Sequence, residues 1–276
     1  MAGRLRHVVR WTLGCFFTVA AATSAPAQTT QPFEPTVGQP GKDVVWVPTP
    51  GALVEKMLDL ANVTPQDFVV DLGSGDGRNI ISAARRGARG LGVEYNPDMV
   101  ALSRRNAEQQ GVGDRAQFVE GDMFAAEFPE ATVLALFLLP DNMRTLRPKF
   151  LALKPGTRIV ANTFGFDDWE PDATATLPGE CGSWCNALLW IVPAQARGTW
   201  RLSNGTLTLR QAYQKLFGTL RLGDREAPVE NGRMRGDQMT FTSSGADYTG
   251  RVTGDRIEGT VVLDGKTRNW SATREN

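Results

Sequence analysis

Asp71, Gly73, Gly75, Gly77 and Glu94 stand within DFVVDLGSGDGRNIISAARRGARGLGVE, residues 67–94, and their types and spacing specify a small-molecule site. Glycines let backbone approach a ligand closely, and a helix N-terminus behind them favours an anionic group. Asp71 at a strand end suits a cationic amino group. A zwitterionic amino acid needs both, whereas a pyrophosphate would be repelled by Asp71 and Asp76. The dinucleotide fingerprint G-x-G-x-x-G also fails, because its last position, counted from Gly73, falls on Arg78. Glu94, ending the next strand, is placed to accept hydrogen bonds from both hydroxyls of a ribose. The bland alternative is a tight turn between strands with no ligand, and it requires the glycines and both acids to coincide by accident.

These residues need a β-α-β frame. Phe68, Val69 and Val70 form a buried-strand run, and Ile80, Ile81, Ala83 and Ala84 give the following helix its apolar face. Gly87 or Gly90 stops that helix before a second strand at 91–93. A helix over 52–60 precedes this unit, with Leu53, Met57, Leu58 and Leu60 at helical spacing. After it, Pro97 opens a helix carrying Met99, Val100 and Leu102, a third strand spans 116–119, and ATVLALFLL at 131–139 reads as a central parallel strand. A helix at 142–153 and a strand at 158–162 follow. The alternation predicts an α/β fold, a doubly wound, mostly parallel sheet with its site at the strands' carboxyl ends.

From Leu188 the period changes. Residues 188–192 and 199–202 read as a hairpin finishing the sheet, and short alternating strands follow at 206–209, 216–222, 239–242, 248–252, 257–263 and 269–272. GRMRGDQM at 232–239 echoes GRVTGDRI at 250–257, each a strand turning at Gly-Asp into a partner. The tail is thus expected to be a small C-terminal antiparallel β domain, a meander or partial barrel, with Asp237 and Asp255 as turn formers.

The chain has 276 residues, 41% hydrophobic, with 30 basic and 30 acidic side chains, so no basic excess marks a nucleic-acid partner. Arg4, Arg6 and Arg10, an apolar run at 11–22 and Ala25-Pro26-Ala27 read as a secretory leader cleaved before Gln28. The apolar run is shorter than the ~20 residues a spanning helix needs, so no stable membrane span is expected after cleavage. The expected divisions are a signal peptide at 1–27, a linker at 28–48, a sheet domain at 49–195 and the β domain at 196–276. The expected location is periplasmic or secreted. Cleavage removes His7, the only histidine, and with it any Ser-His-Asp, Cys-His or histidine–metal site. Cys181 and Cys185 are too far apart to bridge along a strand and close enough in a helical turn or tight loop, so a disulfide and two free thiols both stay open.

Taken together, VPTP, DLGSGDGR, GVEYNP, GDMF, LFLLP and NTFGFDDWEP resemble the seven-strand, class I methyltransferases that use S-adenosylmethionine (SAM). The nearest likeness is to the group that methylates a lysine of the ATP synthase c-subunit. The resemblance covers residues 44–172, and D-x-G-x-G-x-G is similar to motif I of the class. It implies a Rossmann-like fold, SAM as cofactor, and cofactor contacts at Asp71, Gly73, Ser74, Gly75, Gly77, Glu94 and Tyr95. It further implies that Asp122 accepts from the adenine amine, that Met123 lies against the ring, and that Leu139 lies beside the transferable methyl. The segment before the first helix would lie across the cofactor mouth. The implied reaction is N-methylation of a protein lysine or another amine, with a protein or small-molecule acceptor. No residue is an obvious general base, and Asp141, Asp167 and Asp168 are candidates only for steering a cationic substrate. The Asn/Asp-Pro-Pro-aromatic tetrad of nucleobase amino-methyltransferases is absent at 138–141. Export sets up an alternative, a non-catalytic SAM- or nucleoside-binding module whose β tail binds a partner.

Overall fold

The computed structural model describes residues 1–3, 33–177, 179 and 184–275. Strands β1 (Phe68–Leu72), β2 (Arg89–Glu94), β3 (Ala116–Glu120), β4 (Val133–Leu136) and β5 (Arg158–Asn162) pair in parallel. At one edge β6 (Ala173–Thr176) and β7 (Asn186–Ile191) form an antiparallel pair, β7 lying antiparallel to β5. The order β3-β2-β1-β4-β5-β7-β6 reverses its direction of growth between β1 and β4. A crevice opens at such a switch point, beyond the carboxyl ends of the strands.

Successive strand residues point to opposite faces, and here both faces are covered. Val69, Val133, Ala135 and Val160 pack under α1 (Gly51–Leu60), α2 (Arg78–Arg85) and α3 (Pro97–Gln109). Val70, Leu72, Leu134, Leu136 and Ile159 pack under α4 (Pro140–Leu151) on the other side. The doubly wound expectation holds. β4 is shorter than the apolar run that announced it, because residues 137–139 leave the sheet and Pro140, a favoured first helical residue, starts α4.

The hairpin expected between 188–192 and 199–202 does not form. β7 pairs with β6, whose ATAT sequence has too little apolar content to signal a strand, and residues 198–202 leave for the next sheet. That sheet is a closed antiparallel barrel rather than a partial one. It comprises β8 (Gly198–Leu202), β9 (Gly205–Ala212), β10 (Lys215–Leu222), β11 (Arg225–Arg235), β12 (Gln238–Ser243), β13 (Ala246–Thr253), β14 (Arg256–Leu263) and β15 (Lys266–Arg274). Its interior holds Trp200, Leu207, Leu216, Met234, Met239 and Ile257. The Gly-Asp echo marks the β11–β12 and β13–β14 turns.

The barrel is keyed to the loop between β5 and β6. Trp169 is fully buried, with its ring stacked on Tyr213 at 5.2 Å and 9°. Arg233 pairs with Asp172 at 2.7 Å, Lys215 with Glu170 at 2.8 Å, and the Ala194 amide donates to the Gly236 carbonyl. Among the described residues no helix is long and apolar enough to cross a membrane. The leader expected at 1–27 falls almost wholly outside the described residues, as does Cys181. Cys185 is disulfide-bonded.

Candidate functional site

Asp71, the penultimate residue of β1, stands on the crevice and is 3% exposed. Asn79, in the first turn of α2, donates to its Oδ2 at 3.0 Å, while Asp71 Oδ1 has no hydrogen-bond partner. Burial pushes this carboxyl well above the usual carboxylate range. The Asn79 bond opposes that shift, and the charges of Glu94 and Asp76 add to it. An unmet, desolvated carboxylate at a strand end is a receptor for a cation.

Glu94, at the end of β2, holds the glycine turn in place. Its Oε2 accepts from the Gly75 amide and its Oε1 from the Asn96 amide, both at 2.9 Å. Each carboxylate oxygen accepts more than one bond, so both retain capacity for a ribose hydroxyl. Gly75 has φ +55°, and a Cβ there would stand 2.7 Å from Trp46 Nε1. Gly77 has φ +84°, and a Cβ there would meet the Phe118 ring at 2.7 Å, so this glycine seats the turn against β3. Gly73 lines the crevice, and Ser74 is buried with an unpartnered Oγ. Arg78 Nε donates to Asp76 at 2.9 Å, so exclusion of a pyrophosphate rests on Asp71 rather than on both acids.

The mouth of the crevice is walled by residues 39–47 on one side and by Glu94, Tyr95, Asp122 and Met123 on the other. Asp122 accepts from the Phe124 amide at 2.9 Å and from Lys42 Nζ at 3.0 Å. The amide bond, and then the lysine, hold its carboxyl below the usual range. Lys42 also sits 5.3 Å from the Tyr95 ring centroid. Met123 is buried, whereas Leu139 is 41% exposed at the N-cap of α4 and outside the crevice lining, where Phe137 stands instead. Sequence reading missed Phe137, Lys42, Trp46 and Asn79. Only Asn79 had a local signal, as an amide directly behind the glycine turn.

Beside Phe137 lies an aromatic wall. Phe164 stacks on it at 6.0 Å and 13°, and Trp184 meets it edge-on at 5.9 Å. Thr163, just past β5, holds φ +56°, a conformation that is costly for a β-branched residue and one that strained functional loops retain. The acids weighed for steering a substrate are paired. Asp141 and Asp167 both bind Arg144, and Asp168 binds Arg147 and the Tyr213 hydroxyl.

Residues 71–173 match the family model for the ANTKMT methyltransferase domain. The chain is 43% identical to a protein-lysine N-methyltransferase of Saccharolobus islandicus over 131 residues, 46% of this chain and 81% of that protein. It is 39% identical to the ATP synthase c-subunit lysine N-methyltransferase of Mus musculus over 107 residues, 38% of this chain and only 43% of that one. A solved RNA methyltransferase of Salinibacter ruber in complex with S-adenosylhomocysteine is 45% identical, with a TM-score of 0.51, over 54% of this chain and 95% of that one. The barrel lies outside the residues the family model matches. The crevice suits SAM, the cofactor of the class. The free Asp71 Oδ1 and Ser74 Oγ are acceptors for an ammonium, Gly73 leaves room for the methionine portion, and Met123 offers an apolar face to a ring. The chain belongs to the class I SAM-dependent methyltransferases.

Proposed function

We propose that this protein transfers the methyl group of SAM to a lysine side chain of a protein. The observation that carries the reading is the row of carboxylates at the ends of β1, β2 and just past β3: Asp71 for the ammonium, Glu94 for the ribose and Asp122 for the adenine amine. Similarity to proteins named as lysine methyltransferases supports the choice of acceptor. In this reading Gly73, Ser74, Gly75 and Tyr95 complete the cofactor contacts, with Gly77 and Leu139 shaping the walls from behind.

The bound cofactor supplies an electrophilic methyl on a sulfonium. What remains for the chain is to place an amine nitrogen in line, about 3 Å from that carbon, and to keep water away. The lysine's proton would leave to solvent beforehand, and the cofactor would supply the methyl with its thioether sulfur as the leaving group. The wall of Phe137, Phe164 and Trp184 serves both needs. Its apolar surface favours the neutral amine, and its ring faces receive the methylated cation that results. The basic, apolar and Ala-x-Ala order of residues 4–27 supports action outside the cytoplasm, where the acceptor would be an exported or membrane-surface protein.

The test uses SAM with a labelled methyl group, the full chain, and separate periplasmic, membrane and RNA fractions. Label recovered as methyl-lysine after protein hydrolysis supports the reading. Label confined to RNA would transfer the acceptor class of the Salinibacter relative to this chain. Cofactor binding with no labelled component in any fraction would leave the exported binding module. Fractionation of cells carrying a C-terminal tag tests the location.

A further inference from the structure

The barrel has two unlike ends. The β9–β10 and β11–β12 turns pack on the methyltransferase sheet, whereas the turns at 203–204, 223–224, 244–245 and 264–265 gather at the far end. A cavity of about 420 Å³ opens there, a size typical of small-molecule sites. Eight strands enclose just enough room for packed side chains or for one small ligand. This barrel is most fully packed in its inner half, where Trp200, Met234, Met239 and Ile257 are fully buried. In the outer half Val261, Leu263 and Trp270 line open space.

Alternation along β15 puts Lys266, Arg268 and Trp270 on the same face as buried Ala272, which is the inward face. Two cations therefore crown a cavity of mixed lining, with Leu222, Val261, Leu263 and Trp270 on its apolar side and Asn204, Asn269 and Ser271 on its polar one. Neither makes an ion pair or hydrogen bond among the described residues, and Asp264 is the acid that shares the cavity rim with them. β15 meets β8 only at Thr273–Arg201 and Arg274–Trp200, so the half of β15 that carries these cations borders the opening. The floor is aromatic. Phe241 and Tyr248 stack at 4.5 Å and 3°, and Trp270 stands edge-on to both. The Tyr248 hydroxyl makes no hydrogen bond among the described residues, and burial raises its phenol, so it stays a donor. Ser243, 1% exposed on the inward face, has an unpartnered Oγ.

We infer that the barrel binds one small amphiphile, its apolar tail over Tyr248 and Trp270, which buried Phe241 backs, and its anionic head between Lys266 and Arg268. A free long-chain carboxylate and a phospholipid head share this chemistry. The site needs nothing from the methyltransferase crevice, so it stands whether or not the acceptor proves to be lysine.

The probe is dodecanoate below its micelle threshold, titrated calorimetrically into the full chain. Saturable binding at one site per chain is expected, weakened about tenfold or more in the K266E/R268E variant and for dodecyltrimethylammonium. Both substituted positions are exposed, and unchanged SAM affinity in the variant checks that it is folded. Capture of the chain by phosphatidylcholine vesicles doped with phosphatidylglycerol, reversed by dodecanoate, would identify a lipid head as the source, and lack of capture the free acid. Equal binding of the cationic amphiphile, undiminished binding after charge reversal, or no saturable binding at millimolar probe would overturn the assignment.

Discussion

Lys42 Nζ lies 3.0 Å from Asp122 Oδ2, so the segment before α1 is tied to the acid just beyond β3. The ammonium occupies an acceptor position on the carboxylate proposed for the adenine amine. Both side chains are about a third exposed, 33% and 35%, and a pair so open to water is weak and sensitive to salt. Lys42→Met should raise SAM affinity severalfold at low ionic strength and by less at high salt, read by calorimetry in both buffers. A fall in affinity would mean that Lys42 itself contacts the cofactor.

Asp71 links cofactor binding to pH. Burial raises its folded-state pKa above the unfolded value of about 3.9, so its favourable contribution is complete below that value and is lost as pH rises through the folded pKa. Asp71→Asn should therefore melt higher than the parent at pH 8, with the gap closing towards pH 4, and should bind SAM far more weakly. In the parent, an incoming ammonium favours the ionised carboxylate, so binding should release a proton and tighten as pH rises. Melting curves across pH and calorimetry in buffers of different ionisation enthalpy check both. A melting gap that persists unchanged at pH 4 contradicts this linkage.

Asp67 shows the opposite sign. Burial pushes it up, but the Thr64 amide, the Thr132 hydroxyl and Arg158 together pull its carboxyl below the usual range. Its stability contribution is present above the unfolded pKa and disappears as pH falls through the folded one. Asp67→Asn takes the counter-charge from Arg158, which keeps its bonds to the Ala61 and Asn62 carbonyls and 22% of its side chain in water, so the cost at pH 7 should be about 2–3 kcal/mol, below that of a fully buried pair. Urea melts at pH 7 and pH 2.5 measure it, and a penalty equally large in acid would refute the ionic origin.

Gly75→Ala places a methyl 2.7 Å from Trp46 Nε1 on a backbone at φ +55°. Cofactor affinity should drop about tenfold or more through displacement of the Glu94-bound amide. Adding Trp46→Ala should restore part of the loss, and a double-mutant cycle with no coupling between the two would show that Trp46 is not what the methyl strikes.

The parallel half of the fold was legible because strands buried on both faces are written as continuous apolar runs, each closed by an acid, a glycine or a proline. Asp71 and Glu94 were found by that rule. Only the end of β11 was legible, through the GRMRGDQM echo; its start escaped because Pro228 argues against a strand, although it pairs in register with Thr219, and because Asn231 and Gly232 stand at a β-bulge with Asn231 at φ +51°. Closure of the barrel was equally hidden, since it depends on β15 reaching back to β8 across the whole tail. Lys42 and Trp46 reach the crevice by a chain reversal in which the Gly38 amide bonds the Trp46 carbonyl, a contact with no periodic signature. Phe137 sat inside a run read as strand, and only the early start of α4 turns it into the cleft.

Trp169 is gripped between Phe166, at 5.1 Å, and Tyr213, and it belongs to the same short loop as Phe164 and Asp168. The seam between the two halves and the aromatic wall beside the crevice are therefore a single piece of backbone. Cutting the chain near residue 195 would bare the indole face that Tyr213 covers, so a minimal fragment would need resurfacing there before it stayed in solution. Grafting a foreign barrel onto this sheet would disturb that aromatic wall sooner than it would disturb how firmly the nucleoside is held.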